Sequence, residues 1–176
     1  MRVVCPWTQL HERTRASLAL YAPQAEMVEL GTDLDCYWEL LAQLWEAGEA
    51  FCVVEHDIEV GPETLQEFAV CPEWWCVAPY NGARSLVPPH ERTLLRRSLG
   101  CARFDAELLA THPGIMQQVG QIDDAYPPIV RRDYRRLDAR LSSVLEGLEF
   151  EAHQHAPVLH HHVYEDGQCA CEGHHG

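Results

Sequence analysis

Glu55 and Asp57 stand two residues apart, directly after the apolar run Phe51-Cys52-Val53-Val54. In an extended chain, residues i and i+2 point to the same side. The two carboxylates are therefore expected to converge where a strand ends. Carboxylates held close together repel, and a divalent cation between them removes that cost. A strand re-entering solvent through charged residues would give the same string, so the spacing alone leaves both readings open.

Histidines make a second constellation: His153, His155, His160, His161 and His162 lie within ten residues. Neutral imidazole is the commonest metal ligand near neutral pH. Alternation puts His160 and His162 on one face of a strand and His161 on the other. A solvated strand would read the same way. The end of the chain, CACEGHH, offers soft donors, but its spacing matches no common zinc module. Of the eight cysteines, Cys5 and Cys52 sit in apolar runs, where the thiol serves as a small hydrophobe. Free, buried thiols are expected for most of them, with disulfides or metal ligation as the alternatives.

The elements needed to position these groups alternate along the first sixty residues. Arg2 to Pro6 reads as a strand, and Thr14 to Tyr21 as a helix closed by Pro23. Glu26 to Leu30 reads as a second strand ended by Gly31. Thr32 or Asp33 can cap the next helix, in which Leu34, Trp38, Leu41 and Trp45 recur at one-turn spacing until Gly48. Phe51 to Val54 has the continuous apolar character of a strand buried on both faces of a parallel sheet. Strand-helix-strand-helix-strand at this spacing predicts a right-handed, doubly wound α/β core. In open sheets of that kind, ligands bind beyond the carboxyl ends of the strands. Glu55 and Asp57 would stand there.

Further on, Gly61-Pro62-Glu63 opens a short helix that Cys71-Pro72 ends, and Trp74 to Ala78 reads as another strand. Asn81 to Arg92 and Asp123 to Pro128 have loop composition. Leu99 to Phe104 reads as a strand or tight turn feeding a helix capped by Asp105. Asp133 to Leu148 reads as an amphipathic helix and His153 to Tyr164 as one His-rich strand. Residues 1–164 are expected to form one domain and residues 165–176 a tail.

With 27 acidic against 13 basic residues the formal charge is -14, so a polyanion such as nucleic acid would be repelled on average. Every basic residue is Arg, which rules out lysine Schiff-base chemistry. No apolar run approaches the roughly 20 residues of a bilayer span. MRVVCPW lacks the apolar core of a secretory leader, and a cytoplasmic location is expected.

In order along the chain stand WELLAQLWEAGEAF, the strand into Glu55-His56-Asp57, CPEWWCVAPY, LGCARF, an RRLDARL helix and HQHAPVLHHHVY. This series resembles the small GT-A-type glycosyltransferase-like proteins of bacteriophages and actinobacteria. The likeness runs from Met1 to Tyr164. Glu-His-Asp falls where that fold carries its Asp-x-Asp motif and keeps the carboxylate spacing. The resemblance implies a GT-A-like (Rossmann-like) single domain, with a central, mostly parallel sheet flanked by helices. It implies a nucleoside-diphosphate sugar as donor, an acceptor hydroxyl, and Mn2+ or Mg2+ as the divalent metal. Asp57 would ligate that metal with Glu55 as its partner, and His160 would complete the shell, with His155 and His162 as the other candidates. Pro6, Trp7 and Thr8 would face the nucleotide, Arg13 or Arg15 would lie near phosphate, and Asp33 would lie close by. Asp138 or Asp133 would be the base, and Gly100 and Arg103 would shape the acceptor side. An oligomer or a partner protein could supply further acceptor-binding elements. Three other activities share these residues: a metal-dependent hydrolase or nucleotidyl transferase, a domain that binds donor without turnover, and a non-catalytic metal-binding or assembly module built on the His-rich strand and the tail.

Overall fold

A computed structural model of the chain describes residues 1–81, 94–95, 98–121 and 136–161. The loops around 82–92 and 123–128, Asp133, His162 and the tail 165–176 lie outside the described residues. The first elements are β1 (Arg2–Trp7), α1 (Glu12–Tyr21), β2 (Glu26–Glu29), α2 (Cys36–Ala47) and β3 (Phe51–Val54). Then come β4 (Ile58–Glu59), α3 (Pro62–Val70), β5 (Trp75–Val77), β6 (Tyr80–Asn81), β7 (Leu94–Leu95) and β8 (Cys101–Phe104). Helices α4 (Ala106–Thr111), α5 (Ile115–Val119) and α6 (Leu137–Gly147) precede β9 (His153–Gln154) and β10 (Leu159–His160).

The central sheet has the order β2-β1-β3-β8-β5-β9. Strands β2, β1 and β3 are mutually parallel, as are β5 and β9. Strand β8 pairs antiparallel with both β3 and β5, so it is the one reversed member of a mostly parallel sheet. Placing β2 and β3 on either side of β1 is the double winding that the first sixty residues predict. In open sheets so wound, ligands bind outside the carboxyl ends of the strands where the order reverses, here β1 and β3.

Strand residues alternate cleanly between two cores. Val4, Phe51, Val53, Trp75, Val77, Ala102 and Phe104 face α2, α5 and α6. Val3, Cys5, Cys52, Val54, Cys76, Ala78 and Cys101 face α1 and α3, where Leu18, Leu65 and Phe68 cover them. Phe104 lies against Phe51, Trp45 and Trp75, with ring centroids 5.1, 5.4 and 6.0 Å away. Two indoles tie α2 to its neighbours: Trp38 donates to the Met116 carbonyl in α5 and Trp45 to the carbonyl of His112, which caps α4, each at 3.0 Å.

Two expectations need correction. Helix α2 starts at Cys36 rather than after Thr32 or Asp33, and Asp35 flanks it without a side-chain cap bond. The stretch before it makes a turn, with Cys36 N–H on the Asp33 backbone carbonyl at 3.3 Å. The His-rich stretch is not one strand. Pro157 lacks an N–H and breaks it, so that β9 joins the central sheet while β10 pairs with β4. Of the helix expected over Asp133 to Leu148, the described part is Leu137–Gly147, after which Glu149 turns the chain at φ 65°.

Gly48 ends α2 at φ 69°, in the left-handed region that costs a side chain about 1 kcal/mol. Gly48→Ala is expected to destabilise the fold by roughly that amount. Urea denaturation checks it, because no atom lies within 4 Å of the added methyl to contribute a clash.

Candidate active site at the carboxyl edge of the sheet

Strand β3 delivers Glu55 to the rim while its backbone is still paired, the Glu55 N–H donating to the Gly100 carbonyl at 2.8 Å. The chain then turns instead of staying extended, and Ile58 N–H closes the turn on the Glu55 carbonyl at 3.1 Å. The turn, rather than strand alternation, sets how Glu55 and Asp57 stand, and the charge of Asp57 is felt at Glu55. Tyr37, from the first turn of α2, donates its hydroxyl to Glu55 Oε1 at 2.9 Å. His160, carried in on β10, places Nε2 2.9 Å from Asp57 Oδ2. His56 Nε2 stands 4.0 Å from the same oxygen, and the ring of Tyr80 packs on His160 with centroids 4.7 Å apart.

The charges are unevenly matched. Burial pushes the Glu55 carboxyl up to about 7; repulsion from Asp57 and Asp138 adds to the rise, while the Tyr37 hydrogen bond and His160 oppose it. Burial would raise Asp57 as well, but the hydrogen bond and charge of His160, with His56, outweigh it and hold Asp57 below the ordinary carboxylate range. Burial raises Asp138, against the pull of the Ala139 amide on its Oδ1 and of Arg140. No arginine pairs with Glu55 or Asp57 among the described residues. Asp57 Oδ1 is buried and has no hydrogen-bond partner among the described residues. An acceptor left bare in this way costs about 1–3 kcal/mol. Its setting, beside a second acid that resists ionisation, suits a hard divalent cation.

The other expected residues fall as follows. Pro6, Trp7 and Thr8 end β1 at the same rim, with the Trp7 carbonyl accepting from Leu30 N–H at 2.8 Å. Asp33 is exposed just past the end of β2. Arg13 and Arg15 ride the exposed side of α1, with Arg13 3.8 Å from Glu59 Oε2. His155 does not stand beside Asp57; its Nδ1 lies 3.0 Å from Glu67 Oε2 and its ring meets Phe68. Arg103, expected on the acceptor side, is buried, donates to the Glu73 carbonyl and pairs with Asp105. Gly100 allows close packing, since a side chain there would overlap the ring of Tyr80.

No protein-family profile and no curated protein matches the sequence. Solved structures do. The fold is similar to that of A197 from STIV. That likeness has a TM-score of 0.50 at 11% identity and covers 96% of this chain and 93% of the other. A glycosyltransferase involved in the glycosylation of the major capsid of PBCV-1 follows, with a TM-score of 0.47 at 12% identity, covering 89% of this chain and 82% of its own. A protein assigned as a glucose-1-phosphate thymidylyltransferase from Bacillus anthracis, in complex with a sucrose, has a TM-score of 0.41 at 8% identity, covering 87% and 67%. At these identities the first likeness speaks to fold alone, and the other two, below 0.5, do not bear on what this chain does.

Tyr37 and Tyr80 were not legible as site residues. Tyr37 sits on the apolar stripe of α2 and reads as core, which it also is. Glu59 and His11 are further omissions. His161 Nε2 lies 2.8 Å from Glu59 Oε2, and its ring stacks on His11 with centroids 4.5 Å apart. The alternation of His160 and His161 to opposite sides was the available signal. No helix among the described residues is long and apolar enough to cross a membrane.

Proposed function

We propose that the chain is a glycosyltransferase that takes a sugar from a nucleoside diphosphate and uses Mn2+ or Mg2+ held at Asp57 and Glu55. The observation that carries this reading is the bare, buried Oδ1 of Asp57 beside a carboxyl raised to about 7, at the carboxyl edge of a doubly wound sheet. The sequence resemblance supports the choice of donor, since Glu-His-Asp stands where the GT-A fold has its metal-binding acids.

The donor set fits a hard cation: two carboxylates, with an imidazole against the one that is ionised. A cation bound there supplies positive charge against the negative charge that grows on a departing diphosphate. His160 fixes the rotation of the Asp57 carboxylate by holding Oδ2, which leaves Oδ1 as the oxygen available to a cation. Tyr37 does the same for Glu55. The end of β1, from Pro6 to Thr8, together with Asp33, borders the rim where the nucleotide would lie. Asp138 stands close enough to Glu55 for its charge to be felt, and its raised pKa suits a group that accepts the proton of an acceptor hydroxyl as it attacks the anomeric carbon. Asp133, the other candidate base, lies outside the described residues.

A thermal-shift panel of UDP-, GDP-, TDP- and CDP-sugars tests the reading. One nucleotide sugar with Mn2+ is expected to raise the melting temperature by several degrees, as the roughly 2.7 kcal/mol gained at a hundredfold excess over Kd implies. The shift should vanish with EDTA. Release of an intact nucleoside diphosphate identifies transfer, whereas pyrophosphate or the monophosphate identifies the hydrolase or nucleotidyl transferase. A metal-induced shift with no response to any nucleotide sugar would favour the non-catalytic module.

A further inference from the structure

All five described cysteines that are buried lie on the α1/α3 side of the sheet, and two of them meet a histidine there. Cys71 follows the last residue of α3, Cys76 is the middle residue of β5, and His155 follows β9. The Sγ atoms of Cys71 and Cys76 and a ring nitrogen of His155 all lie within 4.8 Å of one another. Register brings them together: Cys76 pairs with His153 across the parallel β5–β9 ladder, and His155 N–H donates to the Val77 carbonyl at 2.9 Å. Cys71 Sγ also lies 3.3 Å from His153 Nδ1, and the rings of His153 and His155 meet edge to face, centroids 4.8 Å apart.

Two buried thiols side by side need no metal, since Cys packs well as a small hydrophobe. The imidazole is the group that such packing does not explain. Its side chain is only 9% exposed, its Nδ1 lies 3.0 Å from Glu67 Oε2, and its Nε2 is buried with no hydrogen-bond partner among the described residues. Donation of Nδ1–H to the carboxylate leaves a bare lone pair on Nε2. A carboxylate behind a histidine, fixing its tautomer and raising its basicity, is the usual support of a zinc-bound imidazole. Glu67 precedes Cys71 by one helical turn, so a single helix end supplies both the support and a ligand.

We propose that Cys71, Cys76 and His155 Nε2 bind a structural Zn2+, with His153 as the fourth ligand. Zn–S of about 2.3 Å and Zn–N of about 2.0 Å place tetrahedral ligand atoms roughly 3.3–3.8 Å apart, so modest side-chain rotation closes the cluster. Two thiolates balance the charge of the ion, and both thiol protons leave to solvent on binding. Burial and the neighbouring Cys71 push the Cys76 thiol up to about 12 in the metal-free site, and the buried guanidinium of Arg103, its register partner on β8, offsets only part of that rise. The site is closed and soft, unlike the carboxylate pair, and is independent of the proposed transferase activity. It pins β9 to the end of α3, and the same segment goes on to bring His160 to Asp57.

The test is metal analysis of the full chain purified under reducing conditions without added metal. About one zinc per chain is expected to survive gel filtration. Its removal by a strong chelator should lower the melting temperature by several degrees, reversibly on adding Zn2+. Co2+ in its place should give thiolate-to-metal charge-transfer absorption. Cys71→Ser and His155→Gln should each lose the zinc and melt like the chelated wild type, with circular dichroism showing that they still fold. Asp57→Ala and the double variant Cys169→Ser, Cys171→Ser should keep it. The proposal is overturned if the reduced protein neither carries nor takes up zinc, if Cys71→Ser and His155→Gln retain it in full, or if the tail double variant loses it. A Cys71–Cys76 disulfide in freshly lysed cytosolic material would overturn it too.

Discussion

Asp57→Ala is expected to lower cation-dependent turnover of the nucleotide sugar at least about a hundredfold, because the several kcal/mol of charge stabilisation that a bound cation supplies to the leaving group goes with its ligand. The protein should still fold. Asp57 gains stability from His160 and His56, a contribution fully present above its unfolded pKa and lost as pH falls through the lower folded value. Deleting the side chain forfeits that contribution. It also removes one of the charges that push Glu55 up, so the net change in stability should stay within about 1–2 kcal/mol. The melting response to Mn2+ should disappear along with the activity. A variant that turns over donor at the wild-type rate would remove the site from consideration, whatever its stability.

Glu55→Gln should combine loss of function with gain of stability. A carboxyl whose pKa rises from about 4.5 in the unfolded chain to about 7 in the folded one burdens the native state when ionised. The sign is opposite to that of a salt-bridged acid: wild-type stability falls as pH climbs from about 4.5 to about 7, and the full penalty is present above that. Gln keeps the shape and can still accept the Tyr37 hydroxyl, but carries no charge. At pH 8 without divalent cations it should be more stable than wild type by roughly 1–3 kcal/mol, and the gap should close toward pH 4.5. Urea denaturation at the two pH values measures this. Saturating Mn2+ should shrink the difference at pH 8, because the cation relieves in the wild type the repulsion that Gln removes. A Gln variant of equal or lower stability at pH 8 would mean that Glu55 does not sit in the crowded, desolvated setting described above.

Much of the α/β scaffold could be read from the chain because its first half repeats short, strongly patterned elements. Phe51 to Val54 is apolar at every position, as a strand covered on both faces must be. The Trp38, Leu41, Trp45 stripe marked the buried side of α2. The reversed strand β8 was harder to place. CARF reads as a strand in either direction, and its insertion between β3 and β5 depends on pairing with residues some fifty positions away. At the site, Glu55 and Asp57 stood out because acids directly after an apolar run are conspicuous. The strand alternation expected to align them is replaced by a turn after Glu55. His160 and His155 looked equivalent in sequence. The break at Pro157 sends one to Asp57 and the other to the thiols of α3 and β5, a difference made by tertiary pairing alone.

The hydrogen bond between His160 and Asp57 joins residues 103 positions apart, and the strand that carries His160 is among the last described parts of the chain. During synthesis the Phe51–Phe104 core can assemble while the residues that complete the rim are still inside the ribosome. A product cut short before His153 would retain most of the sheet yet lack the imidazole that restrains Asp57. Under the proposed transferase reading, turnover would require chains read through to the end of the His-rich segment.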